Sequence, residues 1–353
     1  MNYIPFLKFK VNEVAAVKSL SLNDIKRLTP FFDLPRKDIL DSNSLKSLID
    51  TAYRKYEINL LSLPFFYLDN FDINDAILIN GDDNYLYTLE KFSTAKIVPV
   101  VGLDRSYRRN SVVIEAKKNK LIKLDIVALR ICVEDLVSYT LVEEEIKELL
   151  NELKESFTSF HLIIDNRVCH NINIQARATQ IIKFINDICS DAEFDKIIIT
   201  GSSITASIKD LLDPNTVITI ERSELNLFKK VKNEIDEIHI GDYTAVSPSY
   251  SDVKIRGEYM RKVTAPKLMY IFDKYLHIKR GGAIDGHPRG NKQYNDLSAI
   301  LIKEAYFRGG LYSFGDKYID EKAQSIGKDA SPSTIPKALI NAHITYMLNG
   351  FKI

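Results

Sequence analysis

The sequence is short of the features that usually announce a function. It has no surplus of charge: 48 Lys and Arg stand against 47 Asp and Glu over 353 residues, a formal net charge of +1 with histidine neutral. That balance argues against a general nucleic-acid coat or a polybasic membrane binder and leaves room only for local patches. Cysteine is scarce. Cys132, Cys169 and Cys189 are an odd set without a close CxxC pair, which points away from a disulfide framework or a cysteine zinc cluster. Glycine (14) and proline (11) are too few, and apolar residues at 45% too many, for a disordered or low-complexity chain. No apolar run approaches the roughly 18 residues of a membrane span. The opening Met-Asn-Tyr-Ile-Pro-Phe-Leu-Lys meets a charge too early for a signal peptide. The expectation is a folded cytoplasmic protein with no membrane partner.

What the sequence does have is a repeated change of period. Short apolar runs at 3–9, 28–34, 65–69, 96–102, 123–131, 160–165, 195–200 and 237–242 read as buried strands. Most are followed by amphipathic segments, clearest at 44–58, 142–156 and 171–189. Such alternation implies parallel strands joined by right-handed crossovers. The expected fold is an α/β, TIM-type parallel (β/α)8 barrel over residues 1–245, with a C-terminal α+β cap over 246–353 packed on it. Val217 to Glu221 is a ninth strand candidate and is read as an insertion after the seventh. A doubly wound open sheet is the alternative, weakened by the lack of glycine in the first turn, Lys10-Val11-Asn12-Glu13. Past residue 245 the pattern predicts two strands at 267–272 and 275–279, a glycine-rich loop from Arg280 to Gly290, and helices at 294–306, 316–325 and 336–348.

In a strand, residues two apart share a side, and barrel chemistry sits at the carboxyl ends of the strands. Six strands end in a charge: Ile4 and Phe6 lead in phase to Lys8, Phe31 to Asp33, Phe65 and Tyr67 to Asp69, Ile126 and Ala128 to Arg130, His161 and Ile163 to Asp165, Ile238 and Ile240 to Asp242. If that phase faces inward, these groups converge on one mouth that is acidic overall. The excess of carboxylate would be offset by protonation or by a divalent cation, magnesium or manganese, held by Asp69, Asp165 and Asp242. Lys8, Lys10 and Arg130 would hold an anionic small molecule, and Asp33, Asp69, Asp165 and Asp242 are the candidate catalytic groups, as base or as water-positioning residues. Metal-assisted phosphoester hydrolysis, phosphodiesterase-like, fits these parts without being demanded by them. The plain alternative is a set of structural ion pairs, such as Lys8 with Asp33 or Arg130 with Asp165.

Outside the strand ends, Gly201-Ser202-Ser203 follows the seventh strand, where Ser202 and Ser203 either cap a helix or receive an anion. The glycine-rich loop, with Arg280, His287 and Arg289, is either a lid that reaches the mouth or an ordinary solvent loop. Asp316 reads as a helix N-cap and His343 as a satisfied core histidine. Two basic clusters carry aromatics, Arg105, Tyr107, Arg108 and Arg109 in one and Lys254, Arg256, Tyr259, Arg261 and Lys262 in the other. Solvated surface charge is the simpler reading of both, and nucleic acid is a disfavoured partner. No phosphate-binding or dinucleotide glycine motif is present, which argues against NTPase and nicotinamide chemistry.

Several short motifs occur in a telling order. They are Tyr3-x-Pro5-x-Leu7-Lys8-x-Lys10 with Glu13, Thr29-Pro30-Phe31-Phe32-Asp33, Leu129-Arg130, Gly201-Ser202-Ser203, Glu221-Arg222-x-Glu224, Gly241-Asp242-Tyr243, Lys279-Arg280-Gly281, Phe314-Gly315-Asp316-Lys317-Tyr318-Ile319 and the late His343. In that order the chain resembles the T-even phage beta protein family, whose members also occur in bacterial genomes. The family tends to place tryptophan where this chain has Tyr275 and Leu225, and the chain has no tryptophan at all. The resemblance implies a common fold, recurring positions and a phage or anti-phage defence context, and it carries no established reaction. Two functions therefore stand side by side: a barrel whose mouth binds an anionic, phosphorylated ligand, and a non-catalytic protein that uses its cap to bind a protein partner.

Overall fold

The computed structural model describes residues 3–37, 41–250 and 260–352. Eight parallel strands close into a barrel. Seven are consecutive: β1 (Tyr3–Lys8), β2 (Phe31–Asp33), β3 (Phe66–Asp69), β4 (Ile97–Gly102), β5 (Ile126–Cys132), β6 (Ser159–Val168) and β7 (Lys196–Ser202). The next strand, β8 (Val217–Glu221), is skipped, and β9 (Ile238–Asp242) closes the ring between β7 and β1. β8 pairs antiparallel with β11 (Tyr275–Arg280), which pairs in turn with β10 (Lys267–Phe272), so the expected insertion supplies one edge of the small C-terminal sheet.

The helices follow the expected pattern, with ends set by local chemistry. In the helix Ile174–Asp191, buried Ala178, Ile181, Phe184, Ile185 and Ile188 fall on one face, and Asn173 caps the start by accepting the Ala176 N–H at 3.0 Å. Glu143, Glu144 and Glu145 open the helix Glu143–Lys154, where the dipole favours them. Pro336 stands in the first turn of the last helix, Ile335–Asn349, where its missing N–H is harmless. Among the described residues no helix is long and apolar enough to cross a membrane.

The barrel separates two apolar layers. Ile4, Phe6, Phe31, Tyr67, Val98, Val100, Ala128, Ile163, Ile198 and Tyr243 fill its lumen, while Tyr3, Leu7, Phe32, Leu68, Leu129, Ile164 and Ile240 point outward to the helices. This confirms the inward phase of five charged strand ends and overturns the sixth. In β9 the outward residues are Ile238, Ile240 and Asp242. Gly241 faces Phe6 instead, and a Cβ there would lie 2.6 Å from the Phe6 ring. The two isoleucines, taken as a lumen stripe, are the helix-facing stripe, which in a barrel is equally apolar.

The C-terminal elements pack against the barrel, where the last helix lies against the helix Val11–Lys18, β10 and β1. Asn341 fastens this contact by donating to Ala16 O (3.0 Å) and accepting the Gly315 N–H (2.9 Å). Gly315 lets the helix Phe314–Ala323 approach closely: a Cβ on it would stand 2.0 Å from Ala338 O and 2.7 Å from Ala342 N. Both obstacles are backbone. Gly315→Ala is therefore expected to destabilise the protein by about 1–3 kcal/mol through overpacking, read as a lower urea midpoint. An unchanged midpoint would show that the two helices separate freely.

Candidate functional site at the barrel mouth

Arg130 lies near the end of β5 and is fully buried. Its guanidinium lies 5.1 Å from the Phe31 ring centroid on one side and 4.3 Å from that of Phe71 on the other. Phe71 in turn carries the guanidinium of Arg167 at 4.6 Å. The mouth is thus filled by a column of alternating aromatic and cationic groups, Phe31, Arg130, Phe71 and Arg167, each aromatic face meeting a positive charge.

Carboxylates ring this column. Arg130 Nη1 donates to Asp33 (3.0 Å) and Asp69 (2.8 Å), and its Nη2 donates to Asp165 (2.5 Å) and to the Tyr243 hydroxyl (3.0 Å). The Tyr243 hydroxyl in turn donates to Asp165 at 2.6 Å. Arg105 grips Asp69 with both terminal nitrogens, at 2.6 and 2.8 Å. Lys8 bonds Asp33 at 3.1 Å and also bonds Asp72, whose other oxygen is 3.8 Å from Arg167 Nη2. Lys8, Arg105, Arg130 and Arg167 therefore face Asp33, Asp69, Asp72 and Asp165, four charges against four, rather than the acidic mouth expected.

The electrostatics follow from that pairing. Burial pushes the Asp69 carboxyl up, but the charges and hydrogen bonds of Arg105 and Arg130 outweigh it and hold the group at about 2. Burial likewise opposes ionisation of Asp165, and Arg130, Arg167 and the Tyr243 hydrogen bond prevail, leaving it below the usual range. Asp72 goes the other way: burial raises it, the like charge of Asp33 adds to the rise, and Lys8 compensates only in part. Lys8 is desolvated but is held protonated by Asp33 and Asp72.

Two backbone features mark this rim. Arg167 has φ +51° within a register shift of β6, and Thr244, a β-branched residue just after β9, has φ +56°. Both lie in the left-handed region, which costs about 1–3 kcal/mol for such residues and concentrates at functional sites. Among the described residues, Arg167 Nη1, Thr200 Oγ1, Asn166 Oδ1 and Thr244 Oγ1 are buried without a hydrogen-bond partner.

Asp242, turned outward, belongs to a second cluster between the barrel and its flank. Its carboxylate accepts from Tyr3 (2.7 Å), the Thr244 N–H (2.9 Å) and Arg222 Nη2 (2.6 Å), with His343 Nε2 at 2.8 Å. Burial works against its charge, yet His343, Arg222 and Tyr3 together hold it well below the ordinary carboxylate range. Arg222 also donates to Glu224 (2.9 Å), and Glu224 accepts from Ser203 (2.5 Å). Ser203 Oγ also accepts the N–H of Ser223 at 2.7 Å, so it caps the first turn of the helix Ser223–Lys232 rather than the segment that follows it in sequence. Ser202 accepts the Ile204 N–H in a local turn, and the next described element is a single 3-10 turn at Ile208–Asp210. The space enclosed by this cluster is about 10 Å³, room for roughly one water.

Of the residues expected at the mouth, Lys8, Asp33, Asp69, Arg130 and Asp165 are brought together there, and exposed Lys10 stands at its rim with Nζ 5.0 Å from the Tyr250 ring. Asp242, Ser202, Ser203 and Arg280 are not. Arg280, at the end of β11, donates to Leu212 O at 2.8 Å, and the glycine-rich loop beyond it packs on Gln293 and Thr264. Asp69, Asp165 and Asp242 do not form a ligand set, because Arg130 lies between the first two and the third faces away. Among the described residues no group of three His, Cys, Asp or Glu side chains is placed to hold a metal ion. The first basic cluster is not a surface patch: Arg105 is buried in the mouth, and Arg109 is buried against Ile73 O and Asp75. In the second cluster Lys254, Arg256, Tyr259 and the Arg261 side chain lie outside the described residues. Asp316 is buried in the first turn of its helix, capped by Ser313, and accepts from Tyr270.

The residues missed by sequence reasoning are Asp72, Arg105, Arg167, Phe71 and Tyr243. Phe71, Asp72 and Arg105 lie two to three positions beyond a strand end, on the βα loops that form the working face of such barrels, and Arg167 lies in the register shift near the end of β6. A rule that extended each strand end by three residues would have found them.

A closed eight-stranded parallel barrel with a polar network at its carboxyl-terminal mouth defines a (β/α)8 protein. Residues 3–349 match the family described as Beta protein, and the chain belongs to that family. No curated protein matches the chain.

Proposed function

We propose that the barrel mouth binds a compact oxyanion, a phosphate or carboxylate group carried by a small molecule, and that Arg167 is its principal contact. The observation that supports this is the Arg167 guanidinium: among the described residues its buried Nη1 has no hydrogen-bond acceptor, although Nη2 donates to Pro248 O at 3.0 Å. A buried cationic donor left unsatisfied carries a full desolvation penalty, which an anion placed there removes. Lys8, which shares Asp72 with Arg167, adds charge of the right sign, and Lys10 stands at the rim over the Tyr250 ring. Asp72, whose carboxyl burial raises from its ordinary value, lies between Lys8 and Arg167. The reading stops at binding. Asp33, Asp69 and Asp165 are already engaged by Lys8, Arg105 and Arg130, so a metal ion or an activated water would have to displace a guanidinium or an ammonium first.

Thermal unfolding in inorganic phosphate, pyrophosphate and a nucleoside monophosphate, each against sodium chloride of matched ionic strength, tests this. Phosphate at about a hundred times its dissociation constant stabilises the fold by about 2.7 kcal/mol, a rise of several degrees. Arg167→Ala is expected to abolish the rise. A rise of the same size in that variant, or none with any of the three anions in the parent, contradicts the assignment.

A further inference from the structure

We propose that residues 244–250 form a strap that holds the mouth closed, with Tyr250 occupying the place an anion takes, so that binding displaces the strap. This deepens, and rests on, the reading of the mouth as an oxyanion site.

The strap leaves β9 at Thr244, whose left-handed backbone places its N–H on Asp242 and whose buried hydroxyl has no partner among the described residues. It then reaches the mouth and is fastened by two hydrogen bonds from other parts of the chain. Pro248 O accepts from Arg167 Nη2 at 3.0 Å, and the Tyr250 hydroxyl accepts the Arg36 N–H at 3.1 Å. The Tyr250 ring is surrounded by Lys8 at 5.3 Å, Lys10 at 5.0 Å and the Arg36 guanidinium at 4.9 Å.

An oxyanion in the place of this neutral ring would face the same side chains, of which Lys8 is already paired with Asp33 and Asp72 and Lys10 stands over the ring. A ring face attracts a cation through its quadrupole, whereas an oxyanion offers full charge and directed acceptors. Tyr250 stays neutral across the physiological range, because burial, with Asp72 nearby, raises its hydroxyl to about 12 against the pull of Lys8. The strap also contacts the arginine that would meet the ligand. Arg167 spends one terminal nitrogen on the strap and keeps the other buried, so an anion reaches Nη1 only when the Pro248 contact opens. The closed state is thus self-complementary at the cationic rim and strained at its hinge, which is what a displaceable occupant requires.

The chain has no tryptophan, so Tyr250→Trp installs a single emitter on the strap. Titrating this variant with inorganic phosphate is expected to shift the emission to the red, with a midpoint equal to that of the thermal stabilisation. Tyr250→Ala removes the occupant, and the apparent phosphate affinity should rise by about three- to tenfold, since the competent fraction is no longer limiting. Unchanged emission in a protein that phosphate still stabilises, or an affinity that falls in Tyr250→Ala, overturns the strap and leaves the anion site standing. No stabilisation by phosphate in the parent or in either variant removes both.

Discussion

Arg130→Met should destabilise the protein by about 3–5 kcal/mol, the loss expected when one member of a buried ion network is removed and its partners stay behind. Methionine keeps the bulk between Phe31 and Phe71 but leaves Asp33, Asp69 and Asp165 without their shared cation in a region closed to water. The loss belongs to the stranded carboxylates and is not a measure of the value of the arginine, so it should be partly reversible. Adding Asp165→Asn to Arg130→Met removes one stranded charge, and the double variant should be more stable than Arg130→Met alone. Arg130→Lys should fall between, because an ammonium restores the charge but cannot reach three carboxylates with a planar fork. Urea unfolding of the four proteins decides it. A loss under about 1 kcal/mol for Arg130→Met would mean that water enters the mouth freely and that the network is an exposed set of ion pairs.

This network explains what the sequence could and could not reveal. Strand ends such as Phe31-Phe32-Asp33 and Ile163-Ile164-Asp165 were legible because the period of two is local, and once the phase is known the charge at the end must face the lumen. The failure at β9 has the same origin. Ile238 and Ile240 are apolar on a strand buried on both faces, so alternation there distinguishes nothing, and only Gly241, where Phe6 takes the room of a side chain, betrays the lumen side. The charge balance of the mouth was not legible, because Arg105 and Asp72 arrive from loops with no periodicity and Arg167 from a register shift that breaks the alternation of β6. Arg109 in particular looked like solvent-facing charge beside Arg108. Burial inverts its meaning, since it binds the loop of β3 through Ile73 O and Asp75. The position of the C-terminal elements depends on contacts between residues more than three hundred apart, such as Asn341 with Ala16, for which a single sequence offers no signal.

Lowering the pH is expected to destabilise this protein well before its carboxylates titrate. His161 lies in the lower barrel with its Nδ1 2.8 Å from the Tyr67 hydroxyl. Burial there, reinforced by the charge of Lys196, depresses its pKa to about 3, and Tyr67, whose hydroxyl burial keeps protonated, can donate to Nδ1 only while that nitrogen is bare. His239 is lowered to about 4, first by burial and then by Lys196. An unfolded histidine takes up a proton near pH 6.5, so below that value the unfolded chain binds protons that the fold refuses, and stability falls as the pH falls. One proton per pH unit amounts to about 2 kcal/mol from His161 alone between about pH 6.5 and 5. The depressed carboxylates Asp69, Asp165 and Asp242 act in a lower window: their contribution is intact above about pH 4 and is lost toward the folded value, about 2 for Asp69. Glu13 and Asp72, both raised chiefly by burial, oppose the decline as they protonate in the fold. Urea unfolding of His161→Asn between pH 7 and 5 isolates the upper window, because asparagine can accept the Tyr67 hydrogen bond without ever charging. The variant should start less stable at pH 7 from lost packing and then decline more slowly than the parent, so that the two curves converge toward pH 5. Curves that stay parallel would place His161 in contact with water and remove the physical basis of the early acid loss.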